Sequence, residues 1–312
     1  MANFPISPMM GGYAGMSGNY IPALYSGTLL VKYYKATVLT AIASTEHQDE
    51  ITKMGDEVNI RMVPTIKTFK YKIGDGYQFA PVKTEKVVLK IDQGTGYTYP
   101  VNTVEVNQSD IPFIEKWAEE AAQQVKIDVD REVLSNIPNE VSAETSGTNS
   151  GAITGNINLG VTGAAVPISK DTSIANALLC SQALGEANVP DTNRWIVVPE
   201  WFKTKLLASD IADAGFAGDG QPSKVLNGRI GVIAGDLTLY TSNNILPLLD
   251  SGTKCYQIVF GHTGAHSFAA QFTEHEMYKN PSDFGWMVAG LQVWGHKVLK
   301  GEGVGVLYAK EG

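Results

Sequence analysis

The chain has 312 residues, of which 44% are hydrophobic, with 5 Trp, 13 Tyr and 10 Phe, so a mainly disordered polypeptide is excluded and more than one packed unit is expected. A formal net charge of -8, with no basic run, argues against a protein that grips nucleic acid, because such binding rests on clustered Lys and Arg. The N-terminus has neither the basic nor the apolar part of a secretory leader, and no stretch approaches the roughly 18 apolar residues of a membrane span.

Residues 1–20, rich in Gly, Ser, Met and Pro, read as an extended arm ordered by its neighbours. Leu24, Leu29, Leu30, Tyr33, Val38 and Leu39 then recur near helical spacing and predict one helix from about Pro22 to Thr40. From Gly55 the period becomes two. Val58, Ile60 and Met62 alternate with Glu57, Asn59 and Arg61, and Val87, Leu89 and Ile91 alternate further on, which predicts two long strands. The string between them, IKTFKYKIGDGYQFAPVKTEK, is polar and lysine-rich, so the hairpin should project from the body. A two-stranded ribbon is marginal in water, and a partner subunit is the expected support.

Ser109 fits an N-cap and Pro112 a first turn, and Ile114, Trp117, Ala118, Ala121, Val125 and Val129 recur at three- and four-residue steps. They predict a helix to about Asn136, about 40 Å long at the usual rise. Residues 138–172, dominated by Gly, Ser, Thr, Asn and Val, read as short strands or an excursion loop. The string TSIANALLCSQALGEANV predicts a second helix, stopped by Pro190. RWIVVPEWFKTKLL then gives a strand and a short helix, GRIGVIAGDLTLYTSNN two strands broken by Gly235, and KCYQIVFGH another. AHSFAAQF, FGWMVAGLQVWGHKVL and GVGVLYA add strands that must return to earlier elements. The turn pairs Asn227-Gly228 and Ala234-Gly235 bracket the apolar run RIGVIA. No internal repeat is visible, and the class is α+β. Cys180 and Cys255 lie in apolar strings and read as buried free thiols, in keeping with a reducing cytoplasm.

The order of these parts resembles the HK97 fold, the shell protein fold of tailed bacteriophages: N-arm, projecting β-hairpin (E-loop), long spine helix, peripheral and axial domains, closing strands. The strings GDEVNIR, DQGTGYTYPVNTVEVNQSD, WAEEAAQQVKIDVDREVL, RWIVVPEWFKTKLLASD, NGRIGVIAGDLTLYTSNN and GLQVWGHKVLKGEGVGVLYA carry the likeness from about residue 20 onward. It implies an arm and first helix over 1–50, an E-loop over 51–105, a peripheral domain over 106–190 and 271–312, and an axial domain over 191–270. It also implies a major capsid protein of the virion, assembled in the host cytoplasm into pentamers and hexamers of an icosahedral shell around DNA bound without sequence specificity. Implied partners are further copies of itself, a scaffolding protein, a portal and a decoration protein. Since the sequence begins at the arm, without the helical leader some relatives carry, the scaffold is expected to be separate. The GFAGDGQPSK stretch at 215–224 would be a loop near the ring's centre.

No catalytic, cofactor-binding or metal-binding residues are assigned. The expected intersubunit contacts are Lys67, Lys70, Lys72, Lys83 and Lys86 of the hairpin, with Lys90 beside them, and Trp117. Opposite charge on a neighbour is the preferred role for the lysines. Some relatives crosslink a hairpin lysine to a neighbour's asparagine, but nothing here identifies the buried carboxylate that reaction needs. Trp195, Trp201, Trp286 and Trp294 read first as core. GEGVGV at 301–306 reads as a turn and not a phosphate loop, as no helix follows it. There is no GxSxG elbow. Two alternatives stand beside the capsid reading: an encapsulin-type compartment shell on the same fold, and a metal-dependent enzyme using His262, His266 and His275 with Glu274 or Glu276. Glycines at 261 and 264 count against the helix that would align the first two imidazoles.

Overall fold

The computed structural model describes residues 34–46, 57–64, 66–74, 81–82, 84, 86–103, 113–209, 232–233, 237–281 and 284–312. The expectations for the arm over 1–20, Pro22 to Tyr33, Ser109, Pro112, Lys83, the 215–224 loop and both turn pairs lie outside these residues. Sixteen helices and strands carry the described chain: α1 (Leu39–Ile42), β1 (Glu57–Arg61), β2 (Lys86–Lys90), β3 (Gln93–Asn102), α2 (Phe113–Asn136), β4 (Val166–Ile168), α3 (Ser173–Glu186), β5 (Arg194–Val198), α4 (Glu200–Leu207), β6 (Val232–Ile233), β7 (Leu237–Thr241), β8 (Leu248–Asp250), β9 (Thr253–His262), β10 (His266–Lys279), β11 (Gly285–Val298) and β12 (Val304–Glu311).

The strands form three sheets. A seven-stranded mixed sheet runs β4-β12-β9-β5-β7-β6, with β8 paired to β9; its β12–β4 and β5–β7 pairs are parallel. β5 is buried along its whole length, as its continuous apolar string RWIVV requires of a central strand. A three-stranded antiparallel sheet runs β10-β11-β3, and β1 pairs with β2 to make the small third sheet. The hairpin strands are therefore present but shorter than expected, five residues each. Val58 and Ile60 pack on Leu89, Ile91 and Ala269 in a small cluster at the root of the hairpin. β2 also crosses close to β11 at Gly295, where a Cβ would collide with the Lys90 carbonyl oxygen.

Two larger cores lie on the two faces of the seven-stranded sheet. One joins Val125, Val129 and Val133 of α2 to Ile42, Trp195, Val259, Trp294 and Val304. The other joins Cys180 and Leu184 of α3 to Ile196, Phe202, Ile258, Phe260 and Leu307. Alternate β5 residues feed them, Trp195 and Val197 to the first, Ile196 and Val198 to the second, as the strand period of two dictates. α2 has 24 residues, about 36 Å at 1.5 Å per residue. Its burial is uneven. Val125, Ile127, Val129, Asp130, Val133 and Leu134 are buried, whereas Lys116, Trp117 and Glu119 are exposed, so the helix runs outward from the core.

The first expected helix is corrected in its described part. Residues 34–38 are not helical, and α1 is one turn over Leu39–Ile42. The cause is non-local. Asp130, buried in α2, accepts hydrogen bonds from the Val38 and Leu39 backbone N–H groups, each at 2.9 Å, and a third from Asn244 Nδ2 at 2.6 Å. Ser242 Oγ and Asn244 Nδ2 both donate to the Ala36 carbonyl. Residues 36–39 are thus clamped between α2 and the turn after β7 before a helix can form. The 138–172 stretch holds one strand, β4, with isolated bridges Ser150↔Ile157 and Val161↔Ala164. Side chains add to its backbone hydrogen bonds: Glu186 accepts from the Ile153 and Thr154 N–H groups and the Thr154 hydroxyl, and the Thr145 hydroxyl donates to Val304 O.

Two outcomes are expected. Asp130→Ala strands three buried donors, each costing about 1 kcal/mol or more, so equilibrium denaturation should show a loss of about 3 kcal/mol. Limited proteolysis should then cut first near residues 34–46. Glu186 is held down to about 2 by its hydrogen bonds to the Thr154 N–H and the Gln182 amide. Its stabilising effect is complete above the ordinary carboxylate value and is lost as pH falls from about 4.5 toward 2. Urea midpoints measured across that window should fall more steeply for the native chain than for Glu186→Gln.

Candidate assembly interface

The hairpin root is packed, but what it carries outward is not. Along residues 66–74 no strand forms, and Lys67, Lys70 and Lys72 are exposed together with Ile66, Phe69, Tyr71 (66% exposed) and Ile73 (99% exposed). Lys86 is exposed at the end of β2 opposite Arg61. Four large apolar side chains alternating with lysines in a nine-residue strip are costly in water unless another surface covers them. Lys67, Lys70, Lys72 and Lys86 are therefore gathered on one projection.

The second surface is the β10-β11-β3 sheet. Register and pleat place Tyr97, Tyr99 and Val101 on one face. There Tyr99 meets Trp117 of α2 edge to face, ring centroids 5.8 Å apart, and Tyr97 Oη lies 3.1 Å from His275 Nδ1. Trp117 is 38% exposed, so it braces the sheet and still presents an edge outward. Gly290 lies between Tyr97 and His275 in register, and a side chain there would occupy the Tyr97 ring's place.

The opposite face carries the rows Gly96, Leu291, Glu274 and Thr98, Ala289, Glu276. The small residues leave a shallow groove of about 310 Å³, walled by exposed Leu291, Glu274 and Glu276. It offers apolar contact and two carboxylates, and no basic residue lines it. At the end of the β10–β11 hairpin Tyr278, Phe284 (83% exposed) and Trp286 are also exposed. The tryptophans divide. Trp195 and Trp294 are fully buried, Trp294 donating to Thr95 Oγ1 at 3.1 Å, while Trp286 faces out.

The histidines do not converge. His262 ends β9 and accepts from the Gly264 N–H, His266 is fully buried at the start of β10, and His275 lies nine residues further along that strand, roughly 30 Å away. Among the described residues no group of three or more His, Cys, Asp or Glu is disposed to hold a metal ion. Glycines 301 and 303 lie in a 3₁₀ turn that leads into β12, as a simple turn should. Cys180 and Cys255 are buried free thiols, and burial pushes the Cys180 thiol up, away from the reactive thiolate. Among the described residues no helix is long and apolar enough to cross a membrane.

The mixed α/β body, with its two packed cores and clamped arm, matches phage capsid structures of the HK97 fold. Similar solved structures are one from Mycobacterium phage Che8 (24% identity, TM-score 0.76, 93% of this chain and 98% of that one) and the capsid asymmetric unit of Cyanophage Pam1 (12%, 0.70, 96% and 98%). The mature capsid of bacteriophage PhiM1 is a third (14%, 0.68, 93% and 92%). No curated protein matches the sequence. The phage capsid protein family model matches residues 85–293, and the chain belongs to that family. It is a structural major capsid protein of the phage virion, and neither the compartment-shell nor the metal-enzyme alternative finds support.

Proposed function

We propose that copies of this chain close into an icosahedral shell of pentamers and hexamers around packaged DNA, and that the lysine-bearing strip over 66–74 of each subunit lies on the acidic groove of a neighbour. The observation that carries this reading is the strip itself: exposed lysines alternate with exposed aromatic and aliphatic side chains on a segment with no strand partner among the described residues. The groove is its complement in charge, through Glu274 and Glu276, and in apolar contact, through Leu291. Such a contact is heterologous, so copies propagate around a ring, and closure comes from the ring's geometry. Each contact can be weak, because arm, hairpin and body engage different neighbours at once.

In this reading Trp117 and Lys83 belong to the same interface, and residues 1–50, 51–105, 106–190 with 271–312, and 191–270 act as arm, E-loop, peripheral and axial domains. The chain works without catalysis. Assembly takes place in the host cytoplasm with a scaffolding protein, and the shell incorporates a portal and accepts a decoration protein. The net charge of -8 leaves the enclosed DNA unbound in any sequence-specific sense and free to move.

The test is a charge exchange, read by light scattering and negative-stain electron microscopy of the chain co-expressed with its phage's scaffolding protein. Lys70→Glu with Lys72→Glu should reduce closed particles at least tenfold, as should Glu274→Lys with Glu276→Lys, and the four changes together should recover a substantial fraction. Closed particles in native yield from either double variant would overturn the hairpin-on-groove contact. A native chain that stays monomeric with its scaffold would overturn the shell reading itself.

A further inference from the structure

Two imidazoles, one fully buried and one half-buried, lie together where the arm joins the body. His266 is fully buried at the first position of β10, its ring centroid 5.6 Å from that of His296 on β11, and His296 in turn stacks on Trp294 at 6.1 Å. Both ring nitrogens of His266, and Nδ1 of His296, have no hydrogen-bond partner among the described residues. An unmade hydrogen bond at a buried polar group costs about 1–3 kcal/mol, so a core position filled this way calls for an explanation.

The backbone around His266 supplies one. Its carbonyl accepts the Ser44 N–H at 2.8 Å, Ser44 O accepts from the Phe268 N–H at 3.0 Å and from Ser267 Oγ, and the neighbouring Ala265 carbonyl accepts from Leu299 N–H. The arm's last described tie to the three-stranded sheet is thus made at the residue whose side chain is buried without a partner.

We propose that the His266–His296 pair is a proton-operated latch, holding residues 38–46 against β10 while both imidazoles are neutral and releasing them when either takes up a proton. A second proton would place two positive charges within one contact, with no carboxylate among the described residues acting on His266 itself. The charged groups that act on His296 are Glu140 and Asp92, which favour its protonated form, and Lys297, which opposes it. Glu140 is already engaged, accepting from Lys297 Nζ and the Val298 N–H. Burial holds His266 down to about 3 and lowers His296 as well. In the opened segment both return to the ordinary value near 6.5. The latch is therefore complete above about pH 6.5, and the opening equilibrium rises by about tenfold per pH unit per histidine below it, until the closed-state value is reached.

Hydrogen exchange on the full-length subunit tests this. After correction for the intrinsic pH dependence, protection of the Ser44 and Phe268 amides should fall by at least about 70-fold between pH 7.0 and 4.5. Ile196, in the centre of β5, should change much less. His266→Phe should abolish most of that fall and His275→Gln, at an exposed histidine, none of it. Should His266→Phe fail to fold, His296→Phe must remove part of the fall, and NMR titration of the native chain must find His266 neutral down to below pH 5. Protection that falls equally at Ser44 and Ile196, a fall unchanged in the histidine variants, or a His266 titrating near 6.5 in the folded chain would each overturn the latch.

Discussion

A carboxylate buried away from water must have its charge met where it sits, and Asp130 meets that condition with no cation among the described residues. Three donors converge on it: two consecutive backbone N–H groups of the arm, at Val38 and Leu39, and the amide of Asn244. One side chain thus ties together three segments far apart in sequence, the arm's end, the long helix α2 and the turn that follows β7. Removing any partner leaves buried polar groups unpaired, so the three segments hold their mutual placement as a set. From that placement follow the packing of Ile42 against the α2 valines and the bridge from Ser44 to Ser267.

The body and its projections obey different physics. Trp195 and Trp294 are buried on the same core, and β5, the first six residues of β12 and residues 258–261 of β9 are enclosed. By contrast Ile66, Phe69, Tyr71 and Ile73 stand in water on the hairpin, and Tyr278, Phe284 and Trp286 on the outer end of the three-stranded sheet. The apolar effect that closes the core is unspent at these positions, and other copies are the natural place for it to act. A capsid protein distributes its free energy in this way: enough in each subunit to fix one shape, the rest held for contacts that exist only in the shell.

How much of this the sequence disclosed follows from how local each cause is. α2, α3, β5, α4 and the late strands are written in short-range periodicity and terminal residues, and the ordered series of strings disclosed the HK97 architecture. β3 carries a strand signal in its alternating Thr95, Tyr97, Tyr99 and Val101, which Gly94, Gly96 and Pro100 between them weaken. The non-helical run at 34–38 could not be read locally, because the carboxylate that claims its N–H groups lies 91 to 92 residues away. The groove beside Glu274 and Glu276 depends on register, which sets small residues of β3 and β11 opposite them, and composition is silent on register. The exposure of Lys67, Lys70, Lys72 and Lys86 was legible because polarity and charge are properties of a single segment.

The central claim is that the strip over 66–74 becomes covered only when subunits meet. Hydrogen exchange of that peptide, compared between the free subunit and the closed particle at one pH, measures this directly. The account predicts rapid exchange in the free chain and strong protection in the particle, with the amides of β5 protected alike in both. Equal, rapid exchange of residues 66–74 in both states would contradict it and move the assembly contact to another surface.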